Sequence, residues 1–399
     1  MATRKVIILI PTLAHGGAER VVSSLSFQAP AHVELVLAVF ERNISYPFQG
    51  RIESLDVALT KSLVPRVYRF FLRWWRFRRL LEKERPDAVI SFGYSADIIN
   101  IFTNRKAVIR VDMFLTEGRR GVWGSFTKWI AKFVFRRAYL ILAVSEAIKM
   151  DLGETFGIST EKIRVLRNPI DVERIKKLSQ EELPSAYQKV FEFPVVVAMG
   201  RLTKQKGQWH IIKAFQEVKK QLPQAKLCIL GKGSMEEELR SYVSSVGIAG
   251  DVYFAGWQEN PYAFLGRARV FVLSSLWEGL PMVLLEAMAC GLPIVSADCK
   301  SGPREILAPS TDVKFQTQEI EYAEFGALTP VCSRSWEYRA QASREERLLA
   351  EALVRVLRDS SYARQLGLQS GRRAQDFDNE RILQEYEFLW NENYFEKRL

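Results

Sequence analysis

Residues 270–293 read Val270-Phe271-Val272-Leu273-Ser274-Ser275-Leu276-Trp277-Glu278-Gly279-Leu280-Pro281-Met282-Val283-Leu284-Leu285-Glu286-Ala287-Met288-Ala289-Cys290-Gly291-Leu292-Pro293. The first four residues form a wholly apolar run, the pattern of a strand buried on both faces. Pro281 suits a first helical position, where its missing N–H costs nothing. Gly291 and Pro293 mark the helix end. The segment therefore predicts strand, turn and helix, with Glu278 in the turn and Glu286 on the helix. The N–H groups within residues 279–283 would point out of a positive helix end, a seat for phosphate. An anion held there between two acids suits a nucleotide sugar, with diphosphate on the amides and hydroxyls on the carboxylates.

The same alternation runs outward in both directions. Short apolar runs occur at Val6–Ile10, Glu34–Phe40, Ala88–Ser91, Ala107–Val111 and Leu140–Val144, then at Val195–Met199, Lys226–Leu230, Val252–Phe254 and Ile294–Ser296. Helical stretches separate them. Strands of this kind imply parallel sheets covered on both faces, and 399 residues favour two domains. We expect an α/β protein of two doubly wound Rossmann-like domains, binding ligands at the carboxyl ends of their strands. The expected divisions are residues 1–175, a strand-free linker at 176–192, a second domain at 193–378 and a helix at 379–399. That last helix would pack back on the first domain through Ile382, Leu383, Tyr386, Leu389 and Trp390. Residues 308–343 are polar and read as an irregular insertion.

Three glycine-bearing loops follow predicted strands. Pro11-Thr12-Leu13-Ala14-His15-Gly16-Gly17-Ala18-Glu19-Arg20 lets backbone approach a ligand closely, or is a plain turn into a helix. It is not GxGxxG and no acidic residue follows a second strand at the expected spacing, which argues against a nicotinamide cofactor, and without GxxxxGK[ST] it is no P-loop. Gly200-Arg201-Leu202-Thr203-Lys204-Gln205-Lys206-Gly207 sets Arg201 and Lys206 in one loop at a strand's carboxyl end, where they would meet phosphate oxygens, or is a solvated basic loop. Leu230-Gly231-Lys232-Gly233-Ser234 repeats the design, or is a simple turn. The four cysteines include no CxxC pair, and Cys228 and Cys290 read as buried small residues. Three scattered histidines give no metal site.

Taken together, Gly16-Gly17-Ala18-Glu19-Arg20, Gly200-Arg201 with Lys206-Gly207, Phe254-Ala255-Gly256 and Glu278-Gly279-x-Pro281 through Glu286-Ala287 with Gly291-x-Pro293 resemble a retaining glycosyltransferase of family 4, with the GT-B fold. The resemblance implies two domains facing across a cleft. It implies that Arg201 and Lys206 hold the donor diphosphate. Glu278 would contact the transferred sugar, aided by Gly279, Leu280, Pro281, Met282 and Val283. Glu286 would bind the ribose. Gly231 and the backbone at Gly256 and Trp257 would lie along the nucleotide, and Gly16 and Gly17 would approach the donor from the first domain. The family transfers with retention and without a metal, so no cofactor is expected beyond the UDP-sugar co-substrate. Many relatives carry a first-domain histidine near a strand end; here Arg110-Val111-Asp112-Met113 occupies that stretch, so Asp112 or Arg110 would stand in its place.

A net charge of +11 with 9 Trp and 24 Phe favours an anionic partner. On a helical projection of Arg66–Arg85, Val67, Phe70, Phe71, Trp74, Phe77 and Leu81 share one face. Tyr68, Leu72 and Trp75 extend it, and Arg69, Arg73 and Arg76 form a stripe opposite. Gly118–Tyr139 is similar, with Arg119, Arg120, Lys128, Lys132, Arg136 and Arg137 beside Trp123, Phe126, Trp129 and Phe133. These segments read as contacts with an anionic membrane surface or the acceptor, together with Glu19 and Arg20. The bland alternative is two amphipathic helices with solvated charges. A sugar-nucleotide enzyme makes nucleic acid a poor partner. Val6–Ile10 is too short for a signal peptide, and no run reaches the ~18 apolar residues of a spanning helix. The expected place is the cytoplasm, peripherally on the inner face of the plasma membrane.

Asp298–Leu307 and Glu321–Gly326 are similar to family members that add N-acetylgalactosamine or related hexosamines to lipid-linked glycans. The expectation is transfer of an N-acetylhexosamine from UDP to a polyprenyl-diphosphate-linked or lipid-A-core saccharide. A sugar-nucleotide 2-epimerase of the same architecture and an inactive membrane scaffold are the alternatives.

Overall fold

The computed structural model describes residues 4–14, 16–59, 63–114, 131–336 and 341–391, with the backbone alone at 63–66. The chain divides into two compact units, Met1–Pro169 with Asn379–Leu399, and Ile170–Asp378.

The first unit holds β1 (Arg4–Ile10), β2 (Val33–Val39), β3 (Arg51–Ser54), β4 (Ala88–Phe92), β5 (Val108–Val111), β6 (Leu140–Ala143) and β7 (Ile163–Val165). They form one sheet in the order β3-β2-β1-β4-β5-β6-β7, parallel throughout. Its central strands are apolar on both sides because helices cover both faces, so Ile7, Ile8 and Leu9 of β1 are all buried.

The second unit holds β8 (Val195–Met199), β9 (Lys226–Leu230), β10 (Val252–Gly256), β11 (Val270–Leu273), β12 (Ile294–Ala297), β13 (Glu321–Ala323) and β14 (Gly326–Thr329). The order is β10-β9-β8-β11-β12-β14-β13, with only β13 antiparallel. One face of this sheet packs Val196, Ile229 and Val272 against Trp209 and Phe215 of helix Gln208–Gln221 and Leu349 and Leu353 of helix Arg344–Arg358. A capping box from Ser343 and Glu346 starts the latter helix. The Glu346 carboxylate also meets His210 Nδ1 at 2.6 Å, which ties the two helices together.

Several expectations change. The stretch 176–192 is no linker: the second unit begins at Ile170, and the stretch carries helices Val172–Ser179 and Ser185–Gln188. Asn260 Nδ2 donates to Leu178 O at 2.9 Å, and a Cβ on Gly266 would lie 2.4 Å from Ser179 O. The polar insertion contains the β13–β14 hairpin, which extends the sheet. The tail helix is shorter than expected, Asn379–Gln384 followed by a 3-10 turn at Glu387–Leu389. Ile382, Leu383, Tyr386, Leu389 and Trp390 are nonetheless all buried in the first unit.

Candidate active site

In the second unit the strand order reverses between β8 and β11, and ligands of open α/β sheets bind outside the carboxyl ends at such a point. The loops that leave these two strands carry the predicted cations and acids. Lys206, after β8, places Nζ 2.5 Å from Glu278 Oε1, after β11. The Ser275 hydroxyl donates to the same oxygen at 2.5 Å. Glu278 is 5% exposed, so a nearly buried carboxylate is held by one cation and one hydroxyl. The Lys206 stem crosses Gly200, where a Cβ would lie 3.6 Å from Cε. Gly200 sits at φ +151, a backbone shape side chains rarely adopt. Gly231 is required by close approach, since a Cβ there would fall 2.0 Å from Gly200 O. Arg201, in the same loop as Lys206, is exposed.

The helix expected after Pro281 begins at Met282, with Pro281 one position earlier as its N-cap. Its first-turn N–H groups, including those of Met282 and Val283, lack intrahelical acceptors by position. The turn itself is braced from β12. Glu278 N donates to Lys300 O at 2.8 Å, and Ser301 Oγ donates to Gly279 O at 2.6 Å. Leu280 and Met282 are buried. Glu286, at 4% exposure, accepts from the Tyr262 hydroxyl at 3.2 Å. Gly256 ends β10 at φ +68, and Trp257 after it is 56% exposed. The structure thus brings Lys206 and Glu278 into contact, with Arg201 exposed in the loop that carries Lys206. Ser275 and Tyr262 were missed by sequence reasoning. Ser275 has a local signal, three residues before Glu278, whereas Tyr262 lies 24 residues from Glu286 with no signal at all.

In the first unit Gly16 caps helix Gly17–Gln28. Space decides this glycine: a Cβ would lie 2.1 Å from Glu19 Oε2. The Arg20 guanidinium rests 5.7 Å from the Tyr46 ring centre. At the end of β5, Arg110 is 1% exposed. Its Nε donates to Asp112 Oδ1 at 2.7 Å, and its other nitrogens donate to the Tyr386 hydroxyl and Asn168 Oδ1. Arg110 is therefore a buried brace that orients Asp112. Below it, burial pushes the Asp97 carboxyl well above the usual range, against the hydrogen bond from Ser91.

The arginine stripe is corrected. Arg73 is 6% exposed and donates to Val57 O at 2.8 Å and to Ala58 O. Arg69 Nη1 reaches Ala58 O at 3.0 Å, and Arg76 Nη1 reaches Leu55 O at 2.5 Å. These three side chains clamp the 55–59 segment to helix Leu63–Glu84, Arg73 buried and Arg69 and Arg76 half-buried. Trp74 turns inward too, donating to Phe102 O at 3.3 Å, while Trp75 stays 43% exposed. Of the second basic aromatic segment, residues 118–130, with Arg119, Arg120, Trp123, Phe126, Lys128 and Trp129, lie outside the described residues, as does His15. Burial pushes the Cys228 and Cys290 thiols up to about 12, which leaves them unreactive. Among the described residues no group of three His, Cys, Asp or Glu side chains is placed to hold a metal.

Two Rossmann-like units, one with an acid–cation pair at its switch point, define a nucleotide-binding class of α/β protein. Residues 15–174 match the family model for Glycosyltransferase Family 4, and residues 179–317 match Glycosyl transferases group 1. The chain is 30% identical over 364 residues to an uncharacterised glycosyltransferase of Methanocaldococcus jannaschii, covering 86% of this chain and 89% of that one. It is 28% identical over 313 residues, 76% of this chain and 83% of the relative, to a Campylobacter jejuni enzyme. That enzyme's name is N-acetylgalactosamine-N,N'-diacetylbacillosaminyl-diphospho-undecaprenol 4-alpha-N-acetylgalactosaminyltransferase. In fold it matches the crystal structure of Anabaena HepE in complex with UDP and glucose, with a TM-score of 0.74 at 18% identity, over 96% of this chain and 98% of that one. The chain belongs to the family 4 (group 1) glycosyltransferases, and its units are the paired Rossmann-like domains of the GT-B fold.

Proposed function

We propose that the protein transfers a sugar, an N-acetylhexosamine such as N-acetylgalactosamine, from UDP to a lipid-linked saccharide, with retention and without a metal. The observation that carries this reading is the Lys206–Glu278–Ser275 cluster at the switch point, with Glu286 buried on the helix that follows. Arg201 and Lys206 would neutralise the leaving diphosphate, the electrostatic work a metal does elsewhere. Glu278 would accept hydrogen bonds from the sugar, and Glu286 from the ribose, with Tyr262 fixing its carboxylate. Gly231, Gly256 and Trp257 would line the nucleotide. In the first unit Gly16 and Gly17 would admit the donor closely, and Asp112, braced by Arg110, would contact the sugar.

The reaction is a front-face substitution. The sugar–phosphate bond breaks, the acceptor oxygen bonds the anomeric carbon on the same face, and the acceptor proton passes to the departing diphosphate. No nucleophilic carboxylate is needed, in contrast to double displacement. The diphospho-undecaprenol acceptor in the name of the Campylobacter relative supports a polyprenyl-diphosphate-linked saccharide, ahead of a lipid-A core. Work on such an acceptor would put the enzyme at the cytoplasmic face of a membrane; among the described residues no helix is long and apolar enough to cross one.

The test is nucleotide release from a panel of UDP-, GDP- and ADP-sugars with membrane lipid extract, followed by NMR of the product's anomeric configuration. UDP release with retained configuration is expected. Release from GDP- or ADP-sugars alone, an inverted product or inhibition by chelator each refutes a named part of the reading.

A further inference from the structure

Helix Leu63–Glu84 carries two apolar faces, and folding uses one. Phe77 and Leu80 are buried, and Phe70, Trp74 and Leu81 pack on the same cluster of the first unit. The other face is open: Val67 is 53%, Tyr68 68%, Phe71 59% and Trp75 43% exposed. The neighbouring helix Tyr94–Thr103 continues it with Phe102, 45% exposed. The rings form one patch, since Phe70 bridges Phe71 at 5.4 Å and Phe102 at 6.3 Å between centroids. Scattered exposed apolar residues need no explanation, but contiguous ones mark an interaction surface.

The charge around the patch identifies the occupant. From Leu63 to Leu81 the sequence holds no acid. The Arg79 guanidinium stacks on the Trp75 indole, 4.0 Å from the ring centre, which puts a cation on the patch itself. Arg105 and Lys106 follow Phe102 in sequence. The first acid beyond the patch, Glu82, pairs with Arg78 at 3.0 Å. A second copy of this face would bring arginine against arginine, whereas anionic headgroups above an acyl layer match both the cations and the rings. Arg73 takes no part, because it is buried on the carbonyls of residues 57 and 58, and half-buried Arg69 and Arg76 each turn one nitrogen to the 55–59 segment.

We propose that Val67, Tyr68, Phe71, Trp75 and Phe102, rimmed by Arg79, Arg105 and Lys106, seat the first unit on a membrane surface rich in anionic headgroups. The proposal rests on the reading of a lipid-linked acceptor for its purpose, and on this face alone for its geometry. It is tested by flotation of the full chain with vesicles of phosphatidylcholine plus phosphatidylglycerol, against phosphatidylcholine alone. Wild type should bind the mixed vesicles. Tyr68→Ser/Phe71→Ser should weaken that binding about ten-fold or more at an unchanged melting temperature, and Arg79→Glu should do so in a salt-sensitive way. Both variants should keep wild-type UDP release with a water-soluble acceptor. Unaltered vesicle binding by both variants overturns the proposal, as does a wild type that ignores anionic vesicles. A wild-type dimer that the variants dissociate overturns it in favour of a second copy. Absence of UDP release in wild type, with vesicle binding intact, would strike the catalytic reading and leave the surface standing.

Discussion

Replacing Lys206 with methionine removes the cation from Glu278 while keeping most of the stem over Gly200. At 2.5 Å the gross Coulomb attraction is about 7 kcal/mol for an effective dielectric near 20. Much of it is cancelled by desolvation, because the two side chains are only 13% and 7% exposed. Removing one partner leaves the nearly buried carboxylate with the Ser275 hydroxyl alone, and a survivor of this kind costs roughly 3 kcal/mol or more. For a unit of this size that is a fall of about 6–12 °C in melting temperature. Lys206→Met/Glu278→Gln removes the orphaned charge, so the double variant should recover part of the loss, with a coupling of at least about 1 kcal/mol. Denaturant and thermal unfolding of the four proteins complete the cycle. A single variant within about 0.5 kcal/mol of wild type, or strictly additive losses, would show that the pair does not exist as described.

Glu286→Ala should weaken UDP binding strongly by calorimetry, and Tyr262→Phe by only several-fold, since it removes one hydrogen bond of about 1 kcal/mol; unchanged binding in both would end the ribose assignment. Arg73→Ala should lower stability by about 3 kcal/mol, because it frees buried carbonyls and empties a buried site, while Arg79→Ala on the open face stays within about 0.5 kcal/mol; equal melting temperatures would contradict the inward clamp. Glu84 accepts from Arg51 at 2.6 Å and from Lys5 at 2.9 Å, and these bonds pull its carboxyl down from 4.5 to about 2. A depressed folded value stabilises above the unfolded one, so this contribution is full above pH 4.5 and lost as pH falls toward 2. Glu84→Gln should flatten that limb of an acid-unfolding profile, and an identical profile would remove Glu84 from the account.

The parts of the fold that were legible share one property, burial on both faces. Strands β8 and β11, and β1 from Val6 onward, are unbroken apolar runs because helices cover both faces of their sheets. The missed strands lack that signature: β3 (Arg-Ile-Glu-Ser) and β13 (Glu-Tyr-Ala) are edge strands with exposed positions. β7 is a three-residue edge, and β14 is a buried four-residue run inside a polar insertion. The site follows the same logic. Glu278, Glu286 and Lys206 could be placed because a turn and a helix fix them locally. Tyr262 reaches Glu286 only through tertiary packing. The arginine stripe was misread because a helical projection gives the direction of a side chain but not what lies there. Here the carbonyls of residues 55–59 do.

The central claim is that the acid–cation cluster at the β8/β11 switch point performs sugar transfer. It is tested most directly by measuring turnover of a UDP-sugar and UDP affinity side by side in wild type and Glu278→Ala. The account predicts turnover reduced about 100-fold or more with UDP affinity preserved. Wild-type turnover in the variant, or a loss of UDP affinity as large as the loss of turnover, would contradict it.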